Sequence, residues 1–512
     1  MIQGPVEWRK NLAFGALASG ALLGTMVWLA LPRFPPQLLQ FVAEHGNIAS
    51  ALLRGEGFAD PFGTPSGPTA WVPPVFPFYV TAVFAVFGIK SIASAWAMIV
   101  LDALFAGLCV FCTAAVLDLC GAPAVKPWLA AALVALTWLQ EFASGPWIST
   151  GWFVAALDAV FLMAAAGAHS DGRSKWWWTM AIAASALSLT HAGSALGCWV
   201  VVCVLWLLDA KRRAVGTCAG GLRVILISAI KPMAVLAACA LAIGIWTARN
   251  WSVFHQTIPL KSAGWFEIYL AEYYTNDGVI DDAVMLAHHP FSNPRLLVDY
   301  TAEGEAHFLE AYRPKAKALI EAAPMSFVRH VGDRALSVFS YCDTAPHAFD
   351  SRLRFSHEDA AALVLADLGA RLTDPNLVIW TSLELPTAEF KDRLKALPLS
   401  DPRAVLMDWM AAKAAMLDGE TQLAHILSSI ALAGLPTACL LGTLALRRRR
   451  TDATFVLFGA FYAAAVLPNV LITHYASHQL HFLCLHAFFI VSFGSALVNG
   501  SSGPKACVPA PT

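Results

Sequence analysis

The chain has 512 residues, of which 58% are hydrophobic and 13% are charged, and its mean hydropathy is +0.60. This composition is far from that of a soluble globular protein and predicts an integral membrane protein. The 34 basic and 35 acidic residues leave a net charge of −1, so no basic field exists to hold nucleic acid, and no nucleic-acid partner is expected. The 11 cysteines lie mostly in apolar runs and predict no disulfide framework.

Apolar runs along the chain predict membrane-spanning helices, each of which needs about 20 apolar residues. We predict about 11 of them, several of them short, in an α-helical polytopic membrane protein. Arg9 and Lys10 precede the first run, which we interpret as a retained span rather than a signal peptide. The candidate spans are 11–31, 71–88, 92–116, 127–139, 148–168, 176–189, 195–208, 222–246, 426–446, 455–472 and 482–498.

Basic residues in short loops predict the orientation, because such loops stay in the cytoplasm. They place the first loop, 32–70, and a long polar region, 250–422, outside the membrane. Four candidate spans then separate the first loop from the cytoplasmic Arg173 loop, where an odd number is needed. One segment between residues 71 and 168 must therefore be broken, re-entrant or miscounted. The cytoplasmic loops are marked by Arg9, Lys10, Arg173, Lys175, Lys211, Arg212, Arg213 and residues 447–450.

The stretch "GPTAWVPPVFPF", residues 67–78, places four prolines and a tryptophan where the second candidate span begins. Proline donates no backbone hydrogen bond and disfavours helix at the preceding residue. We therefore expect an extended segment that becomes helical only after Pro77. Trp71 is expected to anchor this segment at the level of the lipid headgroups.

The polar region predicts a mainly helical extracytoplasmic domain. A helix is expected over 302–323, with a kink at Pro314 and an end at Pro324, and a second over 325–341. Two further helices are expected over 360–372 and 402–416. The predicted organisation is an N-terminal membrane module (1–249), the outside domain (250–422), C-terminal membrane helices (423–500) and a disordered tail (501–512).

The first loop opens with prolines and an amphipathic pattern over residues 35–49, which predicts a helix on the membrane surface. Glu44 and His45 then lie near the membrane boundary. A carboxylate is costly there unless it has a partner or a task. The alternative interpretation of Glu44 is a solvated loop acid.

Three segments resemble bacterial GT-C glycosyltransferases, the multi-span enzymes that take sugar from a polyprenyl-phosphate carrier. The resemblance is to the group that includes the protein O-mannosyltransferases and aminoarabinose transferases. It covers three islands in the same order, and the spans between them match only by hydrophobicity. The islands are "FVAEHGNIASALLRGEGFADPFGTPSGPTAWVPPVFPF" (41–78), "IWTARNWSVFHQTIPLKSAGWFEIYLAE" (245–272) and "HPFSNPRLLVDYTAEGEAHFLEAYRPKAKALIEAAPMSFVRH" (289–330).

The resemblance implies that Glu44 is the essential carboxylate of the first outside loop. In such enzymes this acid activates the acceptor or helps to hold a divalent metal, Mg²⁺ or Mn²⁺, near the lipid phosphate. A base near an interface has its pKa raised by partial desolvation, which suits proton abstraction. Many relatives carry Asp or an Asp-Glu pair, whereas here the neighbour is His45, which puts metal dependence in doubt.

Basic side chains near the predicted outer interface are candidates for the donor phosphate. Arg249 is either a phosphate clamp or an interfacial anchor, and Arg54 and Lys261 are weaker candidates. Related proteins carry Arg-Tyr-like residues before the last span. Here His478 and His481 stand in that region, and they are either phosphate ligands or ordinary interfacial histidines.

Other polar residues fall within the resemblance or inside apolar runs. Glu267, His289 and Glu305 are site candidates, although capping and domain packing explain them at least as well. Asp102 and Asp158 lie in candidate spans, and an acid within the membrane is a functional candidate by default.

The resemblance thus implies a GT-C-like enzyme of the bacterial inner membrane with its site facing the periplasm. It would transfer a sugar, with inversion, from a polyprenyl-phosphate-linked donor to a glycan, lipid or protein acceptor. Two alternatives stay open. One is a lipid flippase or transporter in which the intramembrane acids are couplers, and the other is a non-catalytic GT-C-like scaffold that binds lipid.

Overall fold

The computed structural model describes residues 6–25, 27, 43–119, 125–144, 150–216, 221–275, 278–280, 288–290, 293–340, 434–446, 453–472 and 481–501. Over these residues the protein is helical, and the extended backbone includes one isolated bridge, between Ala59 and Pro68. The predicted helices 360–372 and 402–416 and the predicted tail lie outside the described residues, apart from Ser501 at the end of the last helix.

Apolar helices form the main body. They are α1 (Trp8–Thr25), α3 (Val75–Phe87), α4 (Ile92–Leu119), α5 (Lys126–Ser144), α6 (Thr150–Asp171), α7 (Ser174–Ser188), α8 (Ala192–Gly216), α9 (Gly221–Phe254), α15 (Leu435–Leu446), α16 (Ala453–Leu471) and α17 (Leu483–Ser501). Their buried faces form one continuous apolar core, and their outer faces expose large hydrophobic side chains.

Shorter helices complete the described part of the chain. They are α2 (Ala43–Arg54), α10 (Gly264–Tyr274), α11 (Pro294–Glu303), α12 (Glu305–Glu310), α13 (Tyr312–Ala322) and α14 (Pro324–Ser340). The expected helix over 302–323 is broken at Gly304 and Ala311 rather than kinked at Pro314. Pro314 instead sits in the first turn of α13, where no backbone donor is needed. The helix end before Pro324 and the next helix are confirmed.

Five helices of the described chain are long and apolar enough to cross a membrane: α4, α6, α8, α9 and α16. Exposed leucine, isoleucine and tryptophan side chains on α4, α8, α9 and α16 fit a hydrocarbon environment. The predicted class, a helical membrane protein, is therefore confirmed at this level. The predicted total of 11 spans stays a prediction.

Helix packing defines two ends of the bundle. At one end, Asp118 of α4 accepts from Asn11 Nδ2 at 2.8 Å, and both contact the buried Lys126 of α5. We call this the Lys126 end. At the other end, which we call the loop end, α2 and the following loop cover the helices. Arg249 of α9 donates to two carbonyls of this loop there.

Helix α3 differs from the expected second span. It begins at Val75, so the expectation that helix starts only after Pro77 is wrong. Pro77 occupies the first turn, where its missing donor costs nothing. Its 13 residues measure about 20 Å, against about 30 Å of hydrocarbon.

Both ends of α3 contact the loop end. Val75 N donates to Leu189 O at 3.1 Å, and Lys90, just past the helix, donates to Asn47 Oδ1 of α2 at 2.5 Å. The helix therefore packs beside α2 and returns to it.

A buried ion network joins the outer helices to the bundle. Arg334 of α14 is fully buried and donates to Glu272 Oε1 at 3.0 Å and to the Val470 carbonyl of α16 at 2.8 Å. His330 Nδ1 lies 2.7 Å from the second oxygen of Glu272. Because each charged group has a partner, the burial cost is offset, and α10, α14 and α16 are held in one arrangement.

Candidate functional site

The loop after α2 is compact because its backbone pairs with itself. Thr69 N donates to Phe58 O, and Asp60 N donates to Gly67 O, both at 3.0 Å. Asp60 Oδ1 in turn accepts from the backbone N–H groups of Ser66 and Gly67. This hydrogen bonding fixes the loop that carries the chain from α2 to α3.

Arg249 holds this loop against α9. Its guanidinium donates to Thr69 O at 2.7 Å and to Phe58 O at 2.9 Å, and it lies 5.0 Å from the centre of the Trp246 ring. These contacts favour a structural role, because the donors of the guanidinium point at loop carbonyls. Binding of the donor phosphate by Arg249 stays a prediction, and the hydrogen bonds to the loop carbonyls do not support it.

Glu305 closes the same region from the outer helices. The buried carboxylate accepts from Thr69 Oγ1, from Ala70 N at 2.6 Å, from Ser262 Oγ at 2.7 Å and from Tyr300 OH at 2.7 Å. Burial raises the pKa of Glu305, and the four donors oppose that rise. Glu305 thus ties together three parts of the chain: the loop, the segment that follows α9, and helix α11. These contacts agree with domain packing, the structural role that the sequence left open for Glu305.

Aromatic rings pack around the carboxylate of Glu305 and its partners. Trp71 is buried, with its ring centre 4.9 Å from Phe62 and 5.2 Å from His289. Trp71 is therefore a core residue of the loop end rather than the expected headgroup anchor. Burial lowers the pKa of His289 to about 3, so this ring is neutral. Its setting favours packing over the predicted site role.

Lys261 lies on the short segment between α9 and α10, and its neighbours fix that segment. Ser262 N donates to Ala70 O at 3.0 Å, and Trp246 Nε1 donates to Leu260 O at 3.0 Å. The Lys261 ammonium donates to both carboxylate oxygens of Glu267, at 2.7 and 2.8 Å. Glu267 is in the first turn of α10, where a negative charge is stabilised by the helix dipole.

Glu44 lies in the first turn of α2, and the charges of Lys261 and Glu267 act on its carboxyl. The pKa of Glu44 is raised to about 7, chiefly by burial; a backbone hydrogen bond to the carboxylate and the charge of Lys261 oppose the rise, and the charge of Glu267 adds to it. The structure therefore pairs two of the predicted site residues, Lys261 and Glu267, and their charges act on a third, Glu44. A carboxyl with a pKa about 7 is suited to accept a proton at neutral pH.

Three other predicted candidates have different surroundings or are not described. Arg54 is exposed at the end of α2 and pairs with Glu56 at 2.6 Å. The His45 ring packs edge-on against Phe76 of α3 at 5.0 Å, and burial lowers the pKa of His45 to about 3. His478 lies outside the described residues.

Two histidines lie close together where α8 and α17 begin. His191, between α7 and α8, lies with its ring centre 4.4 Å from that of His481, just before α17. The Lys261 charge also acts on His191, whose pKa is lowered to about 4, first by burial and then by this charge. Lys261 is therefore electrostatically coupled to both Glu44 and His191. Sequence reasoning singled out His481 but missed His191, whose only signal was a histidine between two apolar runs.

A metal centre is not formed by these residues. The described part of the chain contains no group of three or more His, Cys, Asp or Glu side chains placed to hold an ion. The carboxylate of Glu267 is already paired with the ammonium of Lys261. Binding of Mg²⁺ or Mn²⁺ at Glu44 stays a prediction.

The fold and site together define a helical membrane protein with a polar group at one end of its bundle. No protein family, curated protein or solved structure was found to match the chain.

Proposed function

We propose that the protein is a polytopic glycosyltransferase of GT-C type that uses a polyprenyl-phosphate-linked sugar. The observation that carries this proposal is the carboxyl of Glu44 in the first turn of α2, whose pKa is raised to about 7 chiefly by burial and on which the charge of Lys261 acts. A displacement at a sugar C1 needs those two functions, a base for the acceptor and a cation for the departing phosphate.

In the proposed reaction the acceptor hydroxyl attacks C1 of the sugar from the side opposite the phosphate. Its proton passes to Glu44. The bond from C1 to the phosphate oxygen breaks, and its electron pair stays with the polyprenyl phosphate. Lys261 donates a hydrogen bond to that group through the ammonium N–H that the two contacts to Glu267 leave. The products are an inverted glycoside and the carrier phosphate.

An apolar groove between α8 and α9 offers a place for the isoprenoid chain of the donor. It has a volume of about 800 Å³ and is open to the surface. The two helices that form it lead to His191 and to the segment carrying Lys261, so a lipid tail in the groove would deliver its phosphate to the polar group. The lining residues are Trp199, Leu236, Ala240, Ile243, Gly244, Thr247, Ala248 and Trp251.

The function is tested by lipid analysis of a deletion strain and by transfer with the purified protein. A transferase predicts that the polyprenyl-phosphate sugar accumulates in the strain, and that purified protein in nanodiscs converts it to polyprenyl phosphate plus glycoside. Accumulation of a carrier lipid in the inner leaflet, without transfer in the purified system, would instead support the flippase. That alternative has its own support in Asp158, a buried acid within α6.

The proposed orientation places the loop end in the periplasm and the Lys126 end in the cytoplasm of a bacterium. Basic residues of the short α6–α7 loop lie at the Lys126 end, as cytoplasmic loops require. If α3 does not cross, α4, α5 and α6 make three crossings between the first loop and Arg173. The odd number that the sequence demands is then satisfied.

Single cysteines in a chain lacking its 11 native cysteines test this orientation. A membrane-impermeant maleimide added to intact spheroplasts is expected to label Thr64→Cys and Ile89→Cys, which lie on the two sides of α3. Arg173→Cys should react only after permeabilisation and serves as the control. Labelling of Ile89→Cys that also requires permeabilisation would show that α3 crosses the membrane.

A further inference from the structure

Helix α14 changes in character along its length. Up to Arg334 it carries four charged or ionisable side chains, whereas residues 335–340 carry none. Leu336 lies on the face opposite Arg334, because two residues turn a helix by about 200°, and its side chain is 65% exposed. A single exposed leucine carries no information by itself, so its position relative to the bundle decides what surrounds it.

Arg334 marks the point where α14 meets the end of α16. Its guanidinium donates to the carbonyls of Val470 at 2.8 Å and Leu471 at 3.4 Å. These are the last carbonyls of α16, which have no partner within their own helix. A basic side chain commonly fills that role at a helix C-terminus. Arg334 therefore lies level with the loop-end terminus of α16.

Beyond Arg334, α14 continues along α16 into the bundle. The ring centre of Phe339 lies 6.0 Å from that of Tyr462, and Val338 is fully buried in the apolar core of the bundle. Tyr462 is at the middle of α16, about 13 Å along the helix axis from Leu471. The two helices therefore run antiparallel, and the end of α14 lies below the level of Arg334.

Helix α16 supplies the depth scale for this contact. It is one of the helices long and apolar enough to cross a membrane, and its 19 residues measure about 28 Å against about 30 Å of hydrocarbon. Its two ends therefore lie near the two boundaries of the hydrocarbon. Arg334 is then at the boundary on the loop-end side, and Phe339 is inside. Leu336 is exposed between these two levels.

We propose that α14 enters the membrane from the loop end, with residues 335–340 in the hydrocarbon beside α16 and Leu336 in contact with lipid acyl chains. The face that Leu336 exposes is continuous with the outer surface of α16, where Leu467 and Leu471 are exposed. This part of the predicted outside domain, 250–422, thus belongs to the membrane. The proposal does not depend on glycosyl transfer.

Insertion of α14 also fixes the height of α10 above the hydrocarbon. Glu272 in the last turn of α10 accepts from Arg334 Nη1 at 3.0 Å and lies 2.7 Å from His330 Nδ1. The first turn of the same helix carries Glu267, which accepts from Lys261. The buried ion network therefore connects this pair to a helix held in the bilayer.

Spin labels on single cysteines test the depth of α14 in the full-length protein, lacking its native cysteines, in nanodiscs. Oxygen is concentrated in hydrocarbon and a nickel chelate in water, so the ratio of their collision rates with a label reports its depth. Leu336→Cys is expected to give the oxygen-rich ratio of a lipid-facing reference, Leu241→Cys in the middle of α9, where the side chain is 66% exposed. Met325→Cys is the control on α14, because it lies about three turns earlier on the same face and is 75% exposed. It should favour the nickel chelate.

Two results would overturn the proposal. A label at position 336 that is as accessible to the nickel chelate as the label at 325 would place the end of α14 in water. A label at 336 that neither reagent reaches would show that protein covers this face, either a second copy or another part of the chain.

The stability of the chain with its native cysteines gives a second readout. Leu336→Asp is expected to lower the ratio of folded to unfolded protein in bicelles at least about tenfold, because a carboxylate would enter hydrocarbon. Val298→Asp is the matched control, because Val298 of α11 is also 65% exposed. It should change the ratio less than about threefold, as for an ordinary surface position. Equal stability of the two variants would contradict the insertion of α14, whether or not the cysteine-free chain folds.

Discussion

Replacing Glu44 with Gln is expected to lower the rate of sugar transfer by a factor of about 10² to 10⁴, the usual contribution of a general base. The amide has nearly the same shape but cannot take the acceptor proton. Since Gln keeps the size of Glu44 and an oxygen that can accept its backbone hydrogen bond, the variant is expected to fold and still to bind the donor lipid. The measurement is the initial rate of transfer from a matched polyprenyl-phosphate sugar, with donor binding measured separately.

Glu56→Gln is the matched control for this substitution. Glu56 follows the same helix, is exposed and pairs with Arg54, so its loss should change the rate less than twofold. Full activity of Glu44→Gln would remove Glu44 as the base. Equal losses in both variants would indicate that the loop responds to its net charge rather than to one catalytic carboxyl.

Replacing Glu305 with Ala is expected to lower the free energy of unfolding by about 4 kcal/mol, since it leaves several buried donors without an acceptor. The orphaned groups are Thr69 Oγ1, Ala70 N, Ser262 Oγ and Tyr300 OH. Glu305→Gln keeps the volume and one oxygen, so about half of that loss is expected. The measurement is equilibrium unfolding in mixed detergent and SDS micelles.

Glu303→Ala provides the control, because Glu303 lies two residues away and is exposed. It should change stability by less than about 0.5 kcal/mol. Glu305→Ala should also impair transfer, because Ser262 neighbours Lys261 and loses its anchor. A Glu305→Ala protein as stable as Glu303→Ala would contradict the role of Glu305 in holding the loop against the outer helices.

The apolar helices could be predicted from the sequence because long apolar runs have one stable arrangement in lipid, a helix with its backbone groups paired internally. The start of α14 was also predictable, since Pro324 ends one helix and opens the next. Helix α3 was harder. Hydropathy cannot tell a short helix that packs beside α2 from a span, and the return of Lys90 to Asn47 is a tertiary contact.

The candidate site was predictable only in part. Glu44 stood out as an acid near the membrane boundary, and Lys261 and Glu267 lay in an island of resemblance. That Lys261 pairs with Glu267 and acts on both Glu44 and His191 depends on contacts between distant segments. Arg249 looked like a phosphate ligand because sequence cannot show that the loop carbonyls of Phe58 and Thr69 receive its donors.

The dependence of transfer on pH tests the central claim most directly. A base must be deprotonated to act, so with a pKa about 7 for Glu44, kcat/KM should rise tenfold per pH unit below about 7 and level off above it. An ordinary exposed carboxyl would give a profile already flat above about pH 5. The wild type is expected to show this rise of kcat/KM near neutrality, and the residual activity of Glu44→Gln is expected to lack it. A profile that is flat from about pH 5 to 8, or the same rise in Glu44→Gln, would contradict the assignment of Glu44 as the base.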